Sequence, residues 1–314
     1  MKSRFIGFYK DILIDKKTIV NNAIIVVDTN VLLDIYRYSN DTANQILTML
    51  ENIKNQLWLP YQVAYEYHRD RNEKVLGGHI KTYANIINII KNTQKELNDS
   101  RKHPFLNEVD FKKIDNYLKG VVKLLEKGKD NCTQLIIEDF FKNKIAELFE
   151  GRLGNDYPQK QKEQYFIEAK ERYNKQIPPG YKDKIKKDNE FGDYLIWRQM
   201  IDISKEKQCP VIFVTNDVKE DWVEIIAGIK IGPRPELIDE FYHETNQYFY
   251  CYSLNQFIKF LDISTVSNES IKEIETIIVE QQIENNKVSD IAEPNSSSIE
   301  QYEGTTEEHL CSEI

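Results

Sequence analysis

Two short β-branched runs, Ile24-Ile25-Val26-Val27 and Val211-Ile212-Phe213-Val214, stop abruptly on polar triplets, Asp28-Thr29-Asn30 and Thr215-Asn216-Asp217. An unbroken apolar run of this length, bounded by polar residues, is the pattern of a strand buried on both faces, as in a parallel sheet. Ligands of open parallel sheets gather outside the carboxyl ends of the strands, so Asp28 and Asp217 can converge despite their distance in sequence. A capping Asp or Asn accounts for either triplet alone. Two such triplets, joined by further acids in helical contexts, favour a site.

The rest of the chain supplies a frame. The first strand spans Ala23 to Val27, and Ser39-Asn40-Asp41 can cap a helix around Ile46 to Ile53. A short strand is expected at Gln56 to Leu59, and Pro60 opens a helix through Glu66 toward Arg71. Between about Gly77 and 177 the text is Lys/Glu/Ile/Leu at helical spacing, broken near His103-Pro104, Gly151 to Gly154 and Pro158. That is a helical insertion. The α/β pattern resumes with a helix from Asp193 to Ser204, the Val211 to Val214 strand, a helix through Trp222 and Ile226, a helix from Leu237 to Thr245 and a strand from Tyr248 to Tyr252. An Ile/Glu-rich helix follows Ile263 toward Val279, and the acidic remainder reads as disordered. The expected organisation is a lead-in helix at 1–22, a three-layer α/β domain at 23–261 with a central, mainly parallel sheet, and an acidic, partly disordered extension at 262–314. The helical insertion interrupts the domain at about 77–177.

Net charge is −9, with 42 Lys plus Arg against 51 Asp plus Glu. Residues 1–261 hold 40 basic and 38 acidic side chains, and the remainder holds 2 and 13, so the acidity belongs to the extension. Whole-chain acidity therefore does not count against a nucleic-acid substrate. The four cysteines lie far apart without a CxxC pair, which argues against structural zinc or a disulfide framework. No secretory signal pattern opens the sequence and no apolar run is long enough for a membrane span, so a cytoplasmic protein without a membrane partner is expected.

Two further acids join the triplets: Glu66, among aromatics in YQVAYEYHRD, and Asp193, at the start of an apolar helix in EFGDYLIWRQ. Four gathered carboxylates repel one another unless one or two divalent cations offset their charge. All-oxygen ligands favour Mg2+ or Mn2+ over zinc. Such a cation acidifies an attacking water and offsets charge developing on a phosphate, so Asp28, Glu66, Asp193 and Asp217 are the candidate metal-binding and catalytic residues of a phosphodiesterase. Asn30, Thr215 and Asn216 are candidates for orienting ligands or phosphate without adding charge.

These blocks resemble the PIN-domain nucleases, most closely the large bacterial PIN-like proteins that carry a helical insertion. IIVVDTNVLLDIYRY is similar to their first motif, LPYQVAYEYHR to the segment bearing the second acid, PPGYKD with EFGDYLIW to the third block and VIFVTNDVKEDW to the fourth. The resemblance spans about residues 20 to 245 and places Asp28, Glu66, Asp193 and Asp217 at the metal positions, with Asn30 and Thr215 beside them. It implies a metal-dependent endonuclease acting on single-stranded or structured RNA in preference to DNA. It also implies a link to bacterial toxin or antiviral defence systems, with a defence-system partner or a second copy as interaction candidates. A DNA or flap-structure nuclease and a catalytically silent nucleic-acid-binding scaffold are the competing readings.

Asp34, Asp183 and Asp221 are accessory acids, with Asp188 and Glu190 behind them. Lys182, Lys184, Lys186, Lys187 and Lys219, extended by Arg69 and Arg71, are candidate phosphate contacts because they flank the acidic blocks; a solvated charged face is the plainer alternative. For Tyr36, Tyr65, Tyr67, Tyr194, Trp197 and Trp222, core packing is a stronger expectation than base stacking.

Overall fold

The computed structural model describes residues 1, 4–9, 19, 21–99, 106–182, 189–217, 219–262 and 264–292, with side chains to 283. Strands β1 (Ile24–Val27), β2 (Val211–Val214) and β5 (Phe249–Tyr252) form a parallel sheet in the order β1-β2-β5. Ile24 pairs with Val211 and Val211 with Phe249, so the strands end level. All four β2 residues have zero exposure, which requires cover on both faces of the sheet. Gln56 to Leu59 contributes two isolated parallel bridges, Leu57 to Ile25 and Leu59 to Leu153, and not a full strand.

Two helices carry the chain away from β1. Helix α1 (Thr29–Asp34) begins directly at the strand end with Asp28 as its cap, and α2 (Asn40–Asn52) starts on Ser39, whose hydroxyl accepts from Thr42 N. Helix α3 (Tyr61–Asp70) runs without interruption through a π-helical turn, Arg71–Leu76, into α4 (Gly77–Leu97). Gly77-Gly78 therefore does not break the helix. Helix α5 (Glu108–Ile137) packs against α4, linked by Lys91 to Glu126 at 3.1 Å, and α6 (Phe140–Phe149) and α7 (Gln159–Asn174) complete the long helical insertion. The expected break at Pro158 is the N-cap of α7; the expected break at His103-Pro104 lies outside the described residues.

Helix α8 (Gly192–Lys207) precedes β2 and buries Trp197 and Met200 completely. The helix expected through Trp222 and Ile226 is instead an antiparallel hairpin, β3 (Val223–Ile226) and β4 (Ile229–Pro233), a two-stranded sheet separate from the central one. Its turn residues Ala227 and Gly228 have φ of +51° and +79°, the paired left-handed values of a two-residue hairpin. Helix α9 (Pro235–Thr245) starts with proline in its first turn, and α10 (Leu254–Leu261) follows β5 with a capping box between Ser253 and Gln256. Helix α11 (Asn268–Ala292) lies against α2 and α10 and buries Ile274 and Ile278, so the first part of the acidic extension is structural. At the other end, the described part of residues 1–22 includes a 3-10 turn, Ile6–Phe8.

Candidate active site

Level strand ends place the two polar triplets side by side. Asp28 follows β1, with extended backbone, and its Oδ1 accepts from Thr29 N at 2.7 Å, which starts α1. Its Oδ2 accepts from Thr215 Oγ1 and from Asn30 Nδ2, both at 2.6 Å. Thr215 Oγ1 also accepts from Asp217 N at 3.0 Å, and Asn30 Oδ1 accepts from Asn216 N at 2.9 Å. Each triplet therefore holds the other.

Glu66 reaches the same place from α3. Its Oε2 accepts from Thr29 Oγ1 at 2.8 Å, and its Oε1 accepts from Gln62 Nε2 at 2.8 Å and Asn189 Nδ2 at 2.6 Å. Gln62 is one helical turn before Glu66, and its own N–H donates to Gln199 of α8 at 3.1 Å, which fixes α3 against α8. Asp193 sits in the first turn of α8 beside Gly192, and a Cβ built on Gly192 would come within 2.5 Å of Glu66 Oε1. Trp222 Nε1 donates to Asp193 Oδ2 at 3.3 Å, while the indole packs on Phe213. Asp217 Oδ2 pairs with Lys219 Nζ at 2.7 Å.

The electrostatics follow from this crowding. Asp28 is buried, and desolvation raises its pKa to about 7; the Thr215 hydrogen bond opposes the rise, and the charges of Glu66 and Asp217 reinforce it. The carboxylates thus act on one another through space. Among the described residues, no group of three or more His, Cys, Asp or Glu side chains stands close enough together to hold a metal ion, and each candidate acid is already bonded to protein donors. The donor chemistry still suits a hard divalent cation, being all oxygen and carrying mutual repulsion at Asp28 that a positive charge would relieve.

The remaining sequence candidates divide by position. Asn216 turns away from Asp28: its Nδ2 donates to Asp34 Oδ2 at 2.8 Å and its Oδ1 accepts from Leu254 N at 3.1 Å, tying β2 to α1 and α10. Asp34 is fully buried and also accepts from Arg37 and from Gln281 of α11, each at 2.6 Å. Asp221, also fully buried, accepts from Gly180 N at 3.1 Å and Lys182 N at 3.3 Å, holding the loop that leads to the third acidic block. Arg69 pairs with Asp70 at 2.6 Å and Lys182 with Glu220 at 2.6 Å. Arg71 is buried and lies 3.4 Å from Asp139. Asp183, Lys184, Lys186, Lys187 and Asp188 lie outside the described residues. Of the aromatics, Tyr36, Tyr67, Tyr194, Trp197 and Trp222 are buried and Tyr65 is exposed beneath Arg69.

Thr29, Gln62 and Asn189 were not among the sequence candidates, although all three donate to Glu66 or hold a residue that does. Only Gln62 carried a readable signal, its i,i+4 spacing to Glu66 on a helix.

Residues 24–237 match the model of a family described as a PIN like domain. The chain belongs to the PIN-like domain family. That family is generally associated with nucleic-acid hydrolysis, in accord with the strand-end carboxylates. No curated protein and no solved structure matches the chain. The family match ends inside α9, so β5, α10 and α11 lie beyond it. Among the described residues no helix is long and apolar enough to cross a membrane.

Proposed function

We propose that this PIN-like chain is an endonuclease that hydrolyses phosphodiester bonds with Mg2+ or Mn2+, one or two ions, and takes single-stranded or structured RNA in preference to DNA. One observation carries the reading: Asp28, held by Thr215 across the strand ends, lies within the fields of Glu66 and Asp217 and has its pKa raised to about 7. A buried carboxylate in the field of two others costs folding free energy, and such costs concentrate at functional sites. Asp28, Glu66, Asp193 and Asp217 are the residues that would hold the cation, which when bound acidifies water and offsets charge on a phosphate oxygen. Thr29, Gln62 and Asn189 fix the Glu66 carboxylate, and Thr215 and Asn30 fix that of Asp28. Lys219 pairs with Asp217 at 2.7 Å, and on this reading it would exchange that carboxylate for a substrate phosphate once the cation is bound.

A catalytically silent nucleic-acid-binding module is the second reading, favoured by the absence of a metal-holding group among the described residues. Matched single-stranded RNA, single-stranded DNA and branched DNA, each with Mg2+, Mn2+ or EDTA, separate the two. Metal-dependent internal cleavage, fastest on RNA, supports the endoribonuclease. Faster cleavage of either DNA moves the substrate to DNA. Salt-sensitive binding without cleavage of any substrate, unchanged in Glu66→Gln, supports the silent module.

A further inference from the structure

Among the described residues, strand β5 has a ladder with β2 alone, and β4 lies beside part of its other edge. Val211 N–H donates to the Tyr248 carbonyl at 3.1 Å and Thr215 N–H to the Tyr252 carbonyl at 3.0 Å. In a parallel register the main-chain groups alternate, so those of Tyr250 and Tyr252 face β2 and those of Phe249 and Cys251 face outward. Strand β4 of the hairpin comes alongside β5 but belongs to a separate sheet. Between them, closed by α10 and α11, is a groove of about 810 Å3 whose wall includes Thr215, the residue that holds Asp28.

The groove has the character of a place built for an extended segment. A strand edge with outward main-chain groups is a template for another strand, and natural proteins cover or block such edges. Ile231 and Val279 line it while 41% and 53% exposed, leaving an open apolar mouth. The Tyr250 hydroxyl and Gln282 Nε2, both at the groove, are buried without a hydrogen-bond partner among the described residues, although Tyr250 is only 4% exposed. Unsatisfied buried polar atoms of this kind are costly, and a segment bringing carbonyl or carboxylate acceptors would satisfy them. The ionic groups of the wall are Lys230, which donates to Gln282 Oε1 at 3.2 Å, Lys259, and Glu275, which pairs with Lys259 at 2.6 Å.

We propose that the chain's own terminal segment, within residues 293–314, docks in this groove as an extended strand against the outer edge of β5. Its charge complements the wall: six Glu and no Lys or Arg, against Lys230 and Lys259 with Glu275 alone. Its reach is sufficient. Helix α11 forms part of the groove at Gln282 and continues to Ala292, about 15 Å further at the helical rise, and about five extended residues span that distance back. Residues from about Ile299 onward, with Glu300, Glu303, Glu307, Glu308 and Glu313, are therefore within range. The docked segment lies against Thr215 and so borders the candidate active site from behind. The docking does not depend on the chain being a nuclease.

Zero-length carbodiimide cross-linking of the intact chain at low concentration, read by peptide mass spectrometry, tests the docking. Lys259 to Glu275 is the internal positive control. The expected result is an intrachain link from Lys230 or Lys259 to one of Glu300, Glu303, Glu307, Glu308 and Glu313. In parallel, amide hydrogen exchange across Phe249–Tyr252 should become about tenfold faster in a folded chain stopped after Ala292, as an edge loses its cover. The control link without any link to those glutamates overturns the proposal. So do links that form only between differently isotope-labelled chains, and so does equal exchange with and without the terminal segment.

Discussion

Thr215 donates its hydroxyl to Asp28 Oδ2 at 2.6 Å, so a threonine at the end of one strand holds a carboxylate at the end of its neighbour. That bond opposes the rise in Asp28 pKa, whose main cause is burial. Removing it in Thr215→Val should raise the Asp28 pKa above 7, by roughly one unit for an exchange of about 1.4 kcal/mol. Carboxyl NMR of the selectively labelled chain checks it; an unchanged or lower pKa would contradict the geometry.

The same shift sets a pH dependence of stability. Asp28 has a higher pKa folded, about 7, than its ordinary value of 3.8, so between these values the folded state binds more protons than the unfolded state. Stability is therefore lost as pH rises from about 4 to 7, by up to about 4 kcal/mol for a shift of this size. Asp28→Asn should lack this component. Melting temperatures of both proteins at pH 4.5 and pH 8 should show the variant gaining on wild type at the higher pH. Parallel curves would refute the shift.

If a divalent cation relieves the repulsion at Asp28, Mg2+ or Mn2+ should stabilise the wild type at pH 8. Saturation at one hundred times Kd corresponds to about 2.7 kcal/mol. Thermal melts with and without each metal provide the measurement, and the increment should shrink strongly in Asp28→Asn and in Asp217→Asn.

Gly192 leaves space for Glu66. A methyl group there would press on Glu66 Oε1 and the Asn189 amide, the movable ends of two side chains, so Gly192→Ala should displace the carboxylate more than it unfolds the protein. Turnover should fall at least tenfold with a loss of stability of about 1 kcal/mol or less. A large fall in the urea midpoint with proportionate loss of turnover would instead make Gly192 purely structural.

Much of this arrangement was legible because burial on both faces leaves a plain mark on sequence: the β1 and β2 runs are almost wholly apolar and end on polar triplets. The hairpin was not. VEIIAGIKI turns on Ala-Gly, and Ala227 adopts a left-handed φ of +51° that its residue type does not advertise. The insertion was expected to begin at about Gly77, yet the π turn at Arg71–Leu76 carries α3 into α4, so the helix bearing Glu66 is continuous with the insertion. The amides that clamp Glu66 come from α3 and from a loop far away in sequence, and neutral side chains give no charge pattern to follow. Basic residues flanking the acids suggested a phosphate rim, but proximity in sequence could not reveal that Arg69, Lys182 and Lys219 already have acidic partners.

Ala227 offers an independent check of the hairpin. A glycine accepts φ of +51° without the strain of a Cβ, so Ala227→Gly should stabilise the chain by up to about 1 kcal/mol, visible as a higher urea midpoint. A destabilisation of similar size would place that residue in a different turn.

The most direct test of the account is single-turnover cleavage of a labelled single-stranded RNA in Mn2+ by the wild type and by Asp217→Asn, both shown folded by circular dichroism. Metal-dependent internal cleavage by the wild type is expected, with a rate at least roughly a hundredfold lower in the variant, about 2.7 kcal/mol of lost transition-state stabilisation. Equal rates in the two proteins would contradict it.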